Sequence, residues 1–203
     1  MMSSKTTILS SIRRHTTEKF TYPDLKPLEH EALTYGDPIA AFSKHLEQAG
    51  GRAIVLKENE TVGDVVARLY PKVQRVANTI STLSGAEALP GKVFNPDDAD
   101  EPAQLNGTDV AIIESQVGVA ENACCWIEQQ VRYRAIYFIA EALVIVLHKT
   151  DVVNNMHEAY SRIANKSDVP FACFISGPSK TADIEQALVF GAHGAKEVTV
   201  VLI

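Results

Sequence analysis

Residues 175–185, Ile-Ser-Gly-Pro-Ser-Lys-Thr-Ala-Asp-Ile-Glu, hold the densest group of side chains that could bind a ligand. An apolar stretch precedes them, and their small residues predict a turn that leads from a strand into a helix over residues 181–190. The first amides of a helix lack partners within the helix and favour an anion. This segment therefore predicts a pocket for a carboxylate or a phosphate, with these ligand-binding residues: Gly177, Pro178, Ser179, Lys180, Thr181, Asp183 and Glu185.

The same residues also fit a capped helix start without a ligand, in which Asp183 and Glu185 stabilise the positive end of the helix dipole. Both carboxylates would repel an anion at close range. If a pocket is present, we expect Ser179 and Thr181 to face the ligand and Lys180 to supply the charge. Asp183 would then act as a cap. The segment lacks the Gly-x-x-x-x-Gly-Lys-Ser/Thr pattern of a phosphate-binding P-loop.

A second group of candidate residues follows in Gly191-Ala192-His193-Gly194, which we expect to end that helix before a last strand. A histidine in this turn can exchange a proton near neutral pH. It can equally hydrogen-bond a backbone carbonyl. His193 and Gly194 therefore join the predicted ligand-binding residues, and His193 is a candidate acid or base.

The cysteines and histidines predict no metal site. Cys124 and Cys125 are adjacent, Cys173 stands alone, and no Cys-x-x-Cys occurs. This is the pattern of reduced thiols, and it cannot supply the four thiolates of an iron–sulfur cluster. Histidines at zinc-ligand spacing are absent. The acidic segment of residues 95–107 suggests a calcium loop or a solvated loop, and its spacing favours the solvated loop. We expect no cofactor in this chain.

The composition is that of a globular protein. Of 203 residues, 46% are hydrophobic and 22% are charged, and the formal net charge is −6. An acidic balance argues against general nucleic-acid binding. The longest apolar run, residues 135–147, contains Glu141 and is shorter than the roughly 20 residues of a membrane span. The first residues lack the apolar core of a secretory signal. These features predict a cytoplasmic protein.

The chain divides into an arm and a domain. Residues 1–35 combine an amphipathic stretch with a Pro-rich connector around Pro23 and Pro27, and we expect this arm to lie on the domain or on a partner. Residues 36–203 form the predicted domain. Asp37-Pro38 predicts one helix start, and Thr61 caps the next helix.

Helices and strands alternate in the domain. Several strand candidates are continuous apolar runs, which are typical of strands covered on both faces. The pattern predicts an α/β fold with a mostly parallel sheet covered by helices. Short connections between residues 124 and 148 add an antiparallel portion. A helix is expected to open at Asp151, and strands are expected at residues 52–57, 76–80, 109–114, 124–128, 135–140, 143–148, 171–176 and 197–203.

Two stretches together resemble the C-terminal signature of the lactate utilization protein C family, which carries the LUD domain. They are the Gly-Pro-Ser-Lys-Thr-Ala-Asp-Ile-Glu of residues 177–185 and the Leu-Val-Phe-Gly-Ala-His-Gly of residues 188–194. The resemblance covers residues 36–203. It implies a fold similar to the sugar-phosphate isomerase and CoA-transferase-like proteins. It also implies a role beside two iron–sulfur partner proteins that oxidise L-lactate to pyruvate.

The chain departs from the family pattern at several positions. Lys180 and Lys196 replace arginines, and Ala195 replaces a proline. Residues 120–124 read Ala-Glu-Asn-Ala-Cys where the family has Ala-Glu-Thr-Gly-Thr. Glu121 matches that pattern, and the likeness of fold to CoA transferases makes it a second catalytic candidate.

Three functions follow from these observations. The first is an accessory subunit of a lactate-oxidising complex, without a cluster of its own. The second is a stand-alone enzyme on a small phosphorylated or CoA-linked substrate. The third is a sensor of a carboxylate metabolite. A homo-oligomer is compatible with each.

Overall fold

A computed structural model describes residues 4–16, 21, 23–24, 27, 31–163, 169–184, 187–191 and 193–203, without the side chains of residues 181–184 and 187–190. The chain divides into two compact units, Met1–Ala32 and Leu33–Ile203. The first unit contains helix α1, Ser4–His15, which lies within the predicted amphipathic stretch. Its apolar residues Ile8, Leu9 and Ile12 are exposed.

A parallel six-stranded sheet forms the centre of the second unit. Its strand order is β1-β12-β7-β4-β2-β3, and every neighbouring pair is parallel. The strands are β1 Arg52–Val55, β2 Arg75–Asn78, β3 Lys92–Phe94, β4 Val110–Ser115, β7 Ala142–Leu147 and β12 Glu197–Leu202. All six residues of β7 are buried. Alternate side chains of β4 and β7 enter two separate hydrophobic clusters, one on each face of the sheet.

Two capped helices cover the two faces. Helix α2, Pro38–Gln48, begins at the predicted Asp37-Pro38 signal, where an Asp37 carboxylate oxygen accepts a hydrogen bond from an amide of the first turn. It buries Phe42 and Leu46 on one face. Helix α3, Val62–Leu69, packs on the other face and begins with a capping box formed by Thr61 and the third helical residue. Both predicted caps are confirmed.

A smaller mixed sheet lies beside this centre. Its strand order is β8-β5-β6-β9, with β5–β6 and β6–β9 antiparallel and β5–β8 parallel. The strands are β5 Val117–Val119, β6 Cys124–Glu128, β8 Val152–Val153 and β9 Ala172–Ile175. Helix α5, Met156–Ile163, packs against the sheet through Ala159 and Ile163. The predicted α/β class is thus confirmed, and an antiparallel portion is present. Of the strands expected to form it between residues 124 and 148, only β6 does so, because β7 pairs in parallel with both of its neighbours.

The remaining elements are short. Helix α4, Ile136–Ile139, is a single turn that precedes β7. Strands β10, Lys180–Ile184, and β11, Ala187–Phe190, pair as an antiparallel hairpin. In the described residues, 3₁₀ helices occupy Ala86–Ala88, Pro96–Asp98, Pro102–Leu105 and Lys149–Asp151. The acidic segment contains two of them and is held by the Arg75 guanidinium, which donates to the carbonyls of Gln104 and Asn106.

Three local predictions are wrong. The described part of residues 181–190 belongs to the β10–β11 hairpin instead of a helix, because pairing between the two strands overrides the local helix preference there. Residues 135–140 contain α4 instead of a strand. Two of its apolar side chains reach the core from one helical turn. The helix expected from Asp151 begins at Met156, because β8 is held in the ladder by β5.

Candidate functional site

Two of the cavities in the domain have volumes of about 420 Å³ and about 330 Å³, and they differ in which residues line them. The larger lies at the amino ends of the central strands, where Lys196 Nζ and Glu141 Oε2 form an ion pair of 3.3 Å. Asp109 there accepts hydrogen bonds from the amides of Gln74 and Arg75. Several charged groups of this larger cavity therefore already bind other groups of the protein. The smaller cavity contains the sequence motif.

We call the smaller one the motif cavity. Its described lining comprises Tyr137, Phe138, Leu143, residues 174–180, His193, Gly194, Ala195 and Val198. The turn after β9 supplies one side, and the turn before β12 supplies another. Helix α4 and the central sheet complete it. The start of the first motif stretch, residues 177–180, and the end of the second, residues 193–194, therefore meet at one place. We call these two segments the two halves of the motif.

Backbone hydrogen bonds hold the two halves together. The Ser179 amide donates to the carbonyl of Ala195, and the Gly191 amide donates to the carbonyl of Ser179, both at 2.9 Å. A Cβ atom on Gly194 would lie 3.2 Å from the Ser179 Cβ, which is a tight contact. The position of Ser179 is thus fixed by its backbone and by the small residue opposite it.

Gly177 and Lys180 connect the motif to the carboxyl end of α2. Gly177 has a φ of +67°, and a Cβ atom there would lie 2.8 Å from the carbonyl oxygen of Ala49. Only glycine fits this close approach without strain. Lys180 Nζ lies 3.6 Å from the position of a Cβ on Gly50. A cation is favourable there because the carboxyl end of a helix carries partial negative charge.

The structure brings six of the predicted ligand-binding residues to this cavity: Gly177, Pro178, Ser179, Lys180, His193 and Gly194. Thr181 and Asp183 belong to strand β10, and their side chains lie outside the described residues, as does all of Glu185. Because this stretch forms a strand, the expected helix amides and helix cap do not exist here. Any anion would instead meet the side chains of the two turns.

Glu121 lies in the turn between β5 and β6 and is not among the described residues that line the motif cavity. Its Oε2 atom accepts a hydrogen bond of 3.0 Å from the Met156 amide, the first of helix α5. Its own amide donates to the carbonyl of Asn154. These contacts give Glu121 a structural role, because they hold the start of α5 against the β5–β6 turn.

The three thiols are poorly suited to act as nucleophiles. Cys125 is fully buried, whereas Cys124 and Cys173 are half-buried. Burial raises the pKa of each thiol above its ordinary value, and the neighbouring Ser176 side chain lowers the pKa of Cys124 only enough to offset part of this rise. The reactive thiolate is therefore scarce near neutral pH.

Sequence reasoning missed the apolar side of the cavity. Tyr137 and Phe138 come from the stretch that was predicted to be a strand, and Leu143 and Val198 belong to core strands. The apolar run of residues 135–147 signalled Tyr137, Phe138 and Leu143, and the apolar last strand signalled Val198, but neither pattern showed that these residues meet at a cavity.

Among the described residues, no group of three His, Cys, Asp or Glu side chains is placed to hold a metal ion. Within the same part of the chain, no helix has the length and apolar character needed to cross a membrane.

Comparison with known proteins places this geometry in a family. The sequence pattern of the LUD domain matches residues 39–203. The lactate utilization protein C of Geobacillus kaustophilus is 30% identical over 58% of this chain and 52% of its own length. That of Oceanobacillus iheyensis is 30% identical over 47% of this chain and 43% of its own. The matched part thus spans about half the length of these relatives.

A solved structure supports the fold. The crystal structure of a DUF162 family protein from Deinococcus radiodurans superimposes with a TM-score of 0.64 over 84% of this chain and 98% of that chain, at 14% identity. Likeness at this identity concerns the fold alone. Together with the match over residues 39–203, it leads to one conclusion: the chain belongs to the LUD domain family.

Proposed function

We propose that this chain is an accessory subunit, without an iron–sulfur cluster of its own, of a cytoplasmic system that oxidises L-lactate to pyruvate. Its family and the names of its relatives support this role. The observation that carries the proposal is the motif cavity, in which the two halves of the motif meet. Its described lining includes Lys180 and His193 and no carboxylate, a composition suited to a small anion.

The proposed division of labour follows from the thiols. The chain has three cysteines, and one of them is fully buried. Iron–sulfur clusters are usually held by four thiolates, so we assign the clusters to two partner proteins. This subunit would bind the anion and contact those partners.

A stand-alone enzyme or a sensor for a phosphorylated, CoA-linked or carboxylate metabolite is the alternative. The acid or base of such an enzyme would be His193, because the Glu121 carboxylate is engaged at the start of α5. A sensor needs only the binding site. Purification of the tagged full chain from lactate-grown native cells separates these functions: two cysteine-rich, iron-containing partners in fixed ratio support the subunit, and a chain that purifies alone supports the alternative.

Growth on lactate tests the role directly. Deletion of the gene should abolish growth of the native host on L-lactate and leave growth on pyruvate intact, because pyruvate enters after the proposed step. The wild-type gene should restore growth, and Lys180→Gln should not. Lys44→Gln, an exposed lysine on α2 outside the motif cavity, is the charge-matched control and should restore it. Normal growth of the deletion strain on L-lactate would refute the proposal.

Iron analysis of the isolated chain tests whether it holds an iron–sulfur cluster. We expect the isolated chain to stay colourless and to hold no stoichiometric iron after anaerobic reconstitution, because it has three cysteines and no Cys-x-x-Cys. The partners, purified in parallel, are the positive control. A stoichiometric cluster on this chain alone would contradict the subunit assignment.

A further inference from the structure

Another cavity of the domain, with a volume of about 380 Å³, shares no lining residue with the motif cavity. Its described lining is Pro102, Gln129, Arg132, Tyr133, Arg134 and Ala135. All but the proline come from the connection between β6 and α4. We call it the arginine cavity, because two arginines and no carboxylate line it in a chain whose net charge is −6. Such a concentration of positive charge in an acidic protein indicates a site for an anion.

Aromatic rings position both guanidinium groups. The Cζ atom of Arg132 lies 4.8 Å from the centre of the Tyr133 ring, and that of Arg134 lies 4.8 Å from the centre of the Phe171 ring. The rings themselves are held in place: the Tyr133 hydroxyl donates a hydrogen bond of 2.7 Å to the carbonyl of Asp100, and Phe171 packs against the core. A guanidinium group that contacts a ring through its flat face keeps the N–H groups of its edge available to a ligand.

Both guanidinium groups are exposed and have no polar partner. Within the part of the chain that the structure describes, neither forms an ion pair or a hydrogen bond. Other arginines of the domain do so: Arg68 and Arg162 form ion pairs, and Arg75 donates to two carbonyls. A guanidinium group has five N–H donors and no acceptor. The two groups therefore suit a ligand that offers several oxygen acceptors and two negative charges.

We propose that the arginine cavity binds a small molecule with a dianionic oxyanion group, held by Arg132 and Arg134 together. The fork of each arginine can donate two parallel hydrogen bonds to a carboxylate or to a phosphate. A phosphate monoester and a dicarboxylate share this chemistry, and the experiment below separates them. This second anion site is independent of the motif cavity and does not rest on the proposed function.

The acidic segment of residues 95–107 lies beside the arginine cavity and opposes an anion there. An Asp97 carboxylate oxygen accepts a hydrogen bond of 2.7 Å from the Arg132 amide, and Glu101 precedes the lining residue Pro102. No carboxylate is part of the described lining, so this repulsion acts through solvent and is weaker than direct contact with the two forks. Removal of one such carboxylate should therefore strengthen anion binding.

Calorimetric titration of the full chain tests the ligand class. The probes are methyl phosphate and succinate as dianions and acetate as the monoanion, at about pH 8, because the second pKa of a phosphate monoester is about 6. At least one dianion should bind about tenfold more tightly than acetate, since it can engage a second arginine. The tighter dianion identifies a phosphate or a dicarboxylate as the ligand. The preference should persist in Lys180→Gln, which removes the cation of the motif cavity.

Substitutions assign the site to the two arginines. Arg132→Gln and Arg134→Gln should each weaken binding of the preferred dianion by about tenfold and that of acetate less, so the preference falls. Arg52→Gln, which removes an exposed arginine of β1 outside the lining, is the charge-matched control and should change neither affinity. Glu101→Gln should tighten binding of the dianion. The variants Arg132→Lys and Arg134→Lys, which keep the charge and lose the fork, should lie between the glutamine variants and the wild type.

The lysine variants decide the test where loss of the ring contact lowers the melting temperature of a glutamine variant. A preference for the dianion that equals that of the wild type in both lysine variants would overturn the inference. So would no binding of either dianion, equal affinities for dianions and acetate, or an equal loss in Arg52→Gln. These outcomes are separate from the growth test, which concerns the motif cavity and the role in lactate oxidation.

Discussion

Substitution of Gly177 by alanine tests how much the stability of the protein depends on a glycine at the start of the motif. The φ of +67° would cost an alanine about 1–2 kcal/mol. The new Cβ atom would lie 2.8 Å from the Ala49 carbonyl oxygen and 3.1 Å from its Cβ atom, so α2 or the turn must shift. Overpacking of this kind costs about 1–3 kcal/mol. We therefore expect Gly177→Ala to lower the free energy of unfolding by about 2–5 kcal/mol.

Two other glycines separate these two costs. Gly107 has a φ of +73°, and the nearest atom to an added Cβ is Arg75 Nη1 at 3.7 Å, so Gly107→Ala carries the backbone cost alone. Gly36 has neither a positive φ nor an atom within 4 Å of the added Cβ. Its alanine variant should melt like the wild type or slightly higher. Thermal melts should show losses of roughly 4–20 °C for Gly177→Ala and roughly 2–8 °C for Gly107→Ala.

Equal losses at Gly177 and Gly107 would refute the close approach between the motif and α2. A Gly177→Ala protein that melts like the wild type yet no longer binds carboxylic acids would show that this glycine makes room for the ligand. Titration of all three variants with L-lactate therefore belongs in the experiment.

Three further predictions concern stability. A chain starting at Gly36 should have a free energy of unfolding at least about 1–3 kcal/mol lower than one starting at Leu33, because it loses the Leu33 carbonyl that accepts from the buried Asn155 side-chain amide and the Tyr35 amide that donates to Asn154; equal urea curves would contradict this. Ala123→Gly should cost about 1–2 kcal/mol less stability than Ala120→Gly in the same turn, because both methyl groups are buried and only Ala123 has a positive φ, of +54°; equal losses would contradict the strain. Burial raises the pKa of Cys125 above its ordinary 9.0, so the thiol ionises first in the unfolded chain and stability should fall as pH rises above about 9; thermal melts of Cys125→Ala should decline less steeply, and equal slopes would contradict the assignment.

The features that the sequence predicted well are set by a few neighbouring residues. Asp37 followed by Pro38 specifies a helix start because the carboxylate satisfies a free amide and the proline needs none. Thr61 acts in the same local way. The apolar runs of β4 and β7 indicated strands covered on both faces, and each face of the sheet does carry a hydrophobic cluster. Such signals depend on patterns within one element.

The hairpin of β10 and β11 could not be predicted in this way. Its acidic residues and small turn residues satisfied the rules for a helix start, so the local pattern favoured the wrong element. Pairs such as Lys180 with Phe190, together with the bonds of Ser179 to Ala195 and Gly191, define the actual structure. These contacts join residues whose proximity exists only after folding. Residue types were therefore enough to locate the candidate site. The sequence predicted that helix amides would form it, whereas the structure forms it from two facing turns.

The turn of residues 120–124 shows how a departure in sequence can preserve a structure. Its φ of +54° at Ala123 falls where the family pattern has glycine, so the backbone keeps the left-handed shape despite the substitution. The Asn122 side chain accepts a hydrogen bond of 3.1 Å from the Cys124 amide, and its carbonyl accepts one from Ser176. Glu121, which matches the pattern, holds the start of α5. Because every one of these contacts is made within the protein, the altered residues bear on the shape of the turn. Any difference in ligand between this chain and its relatives is therefore better sought at Lys180 and the apolar side of the motif cavity.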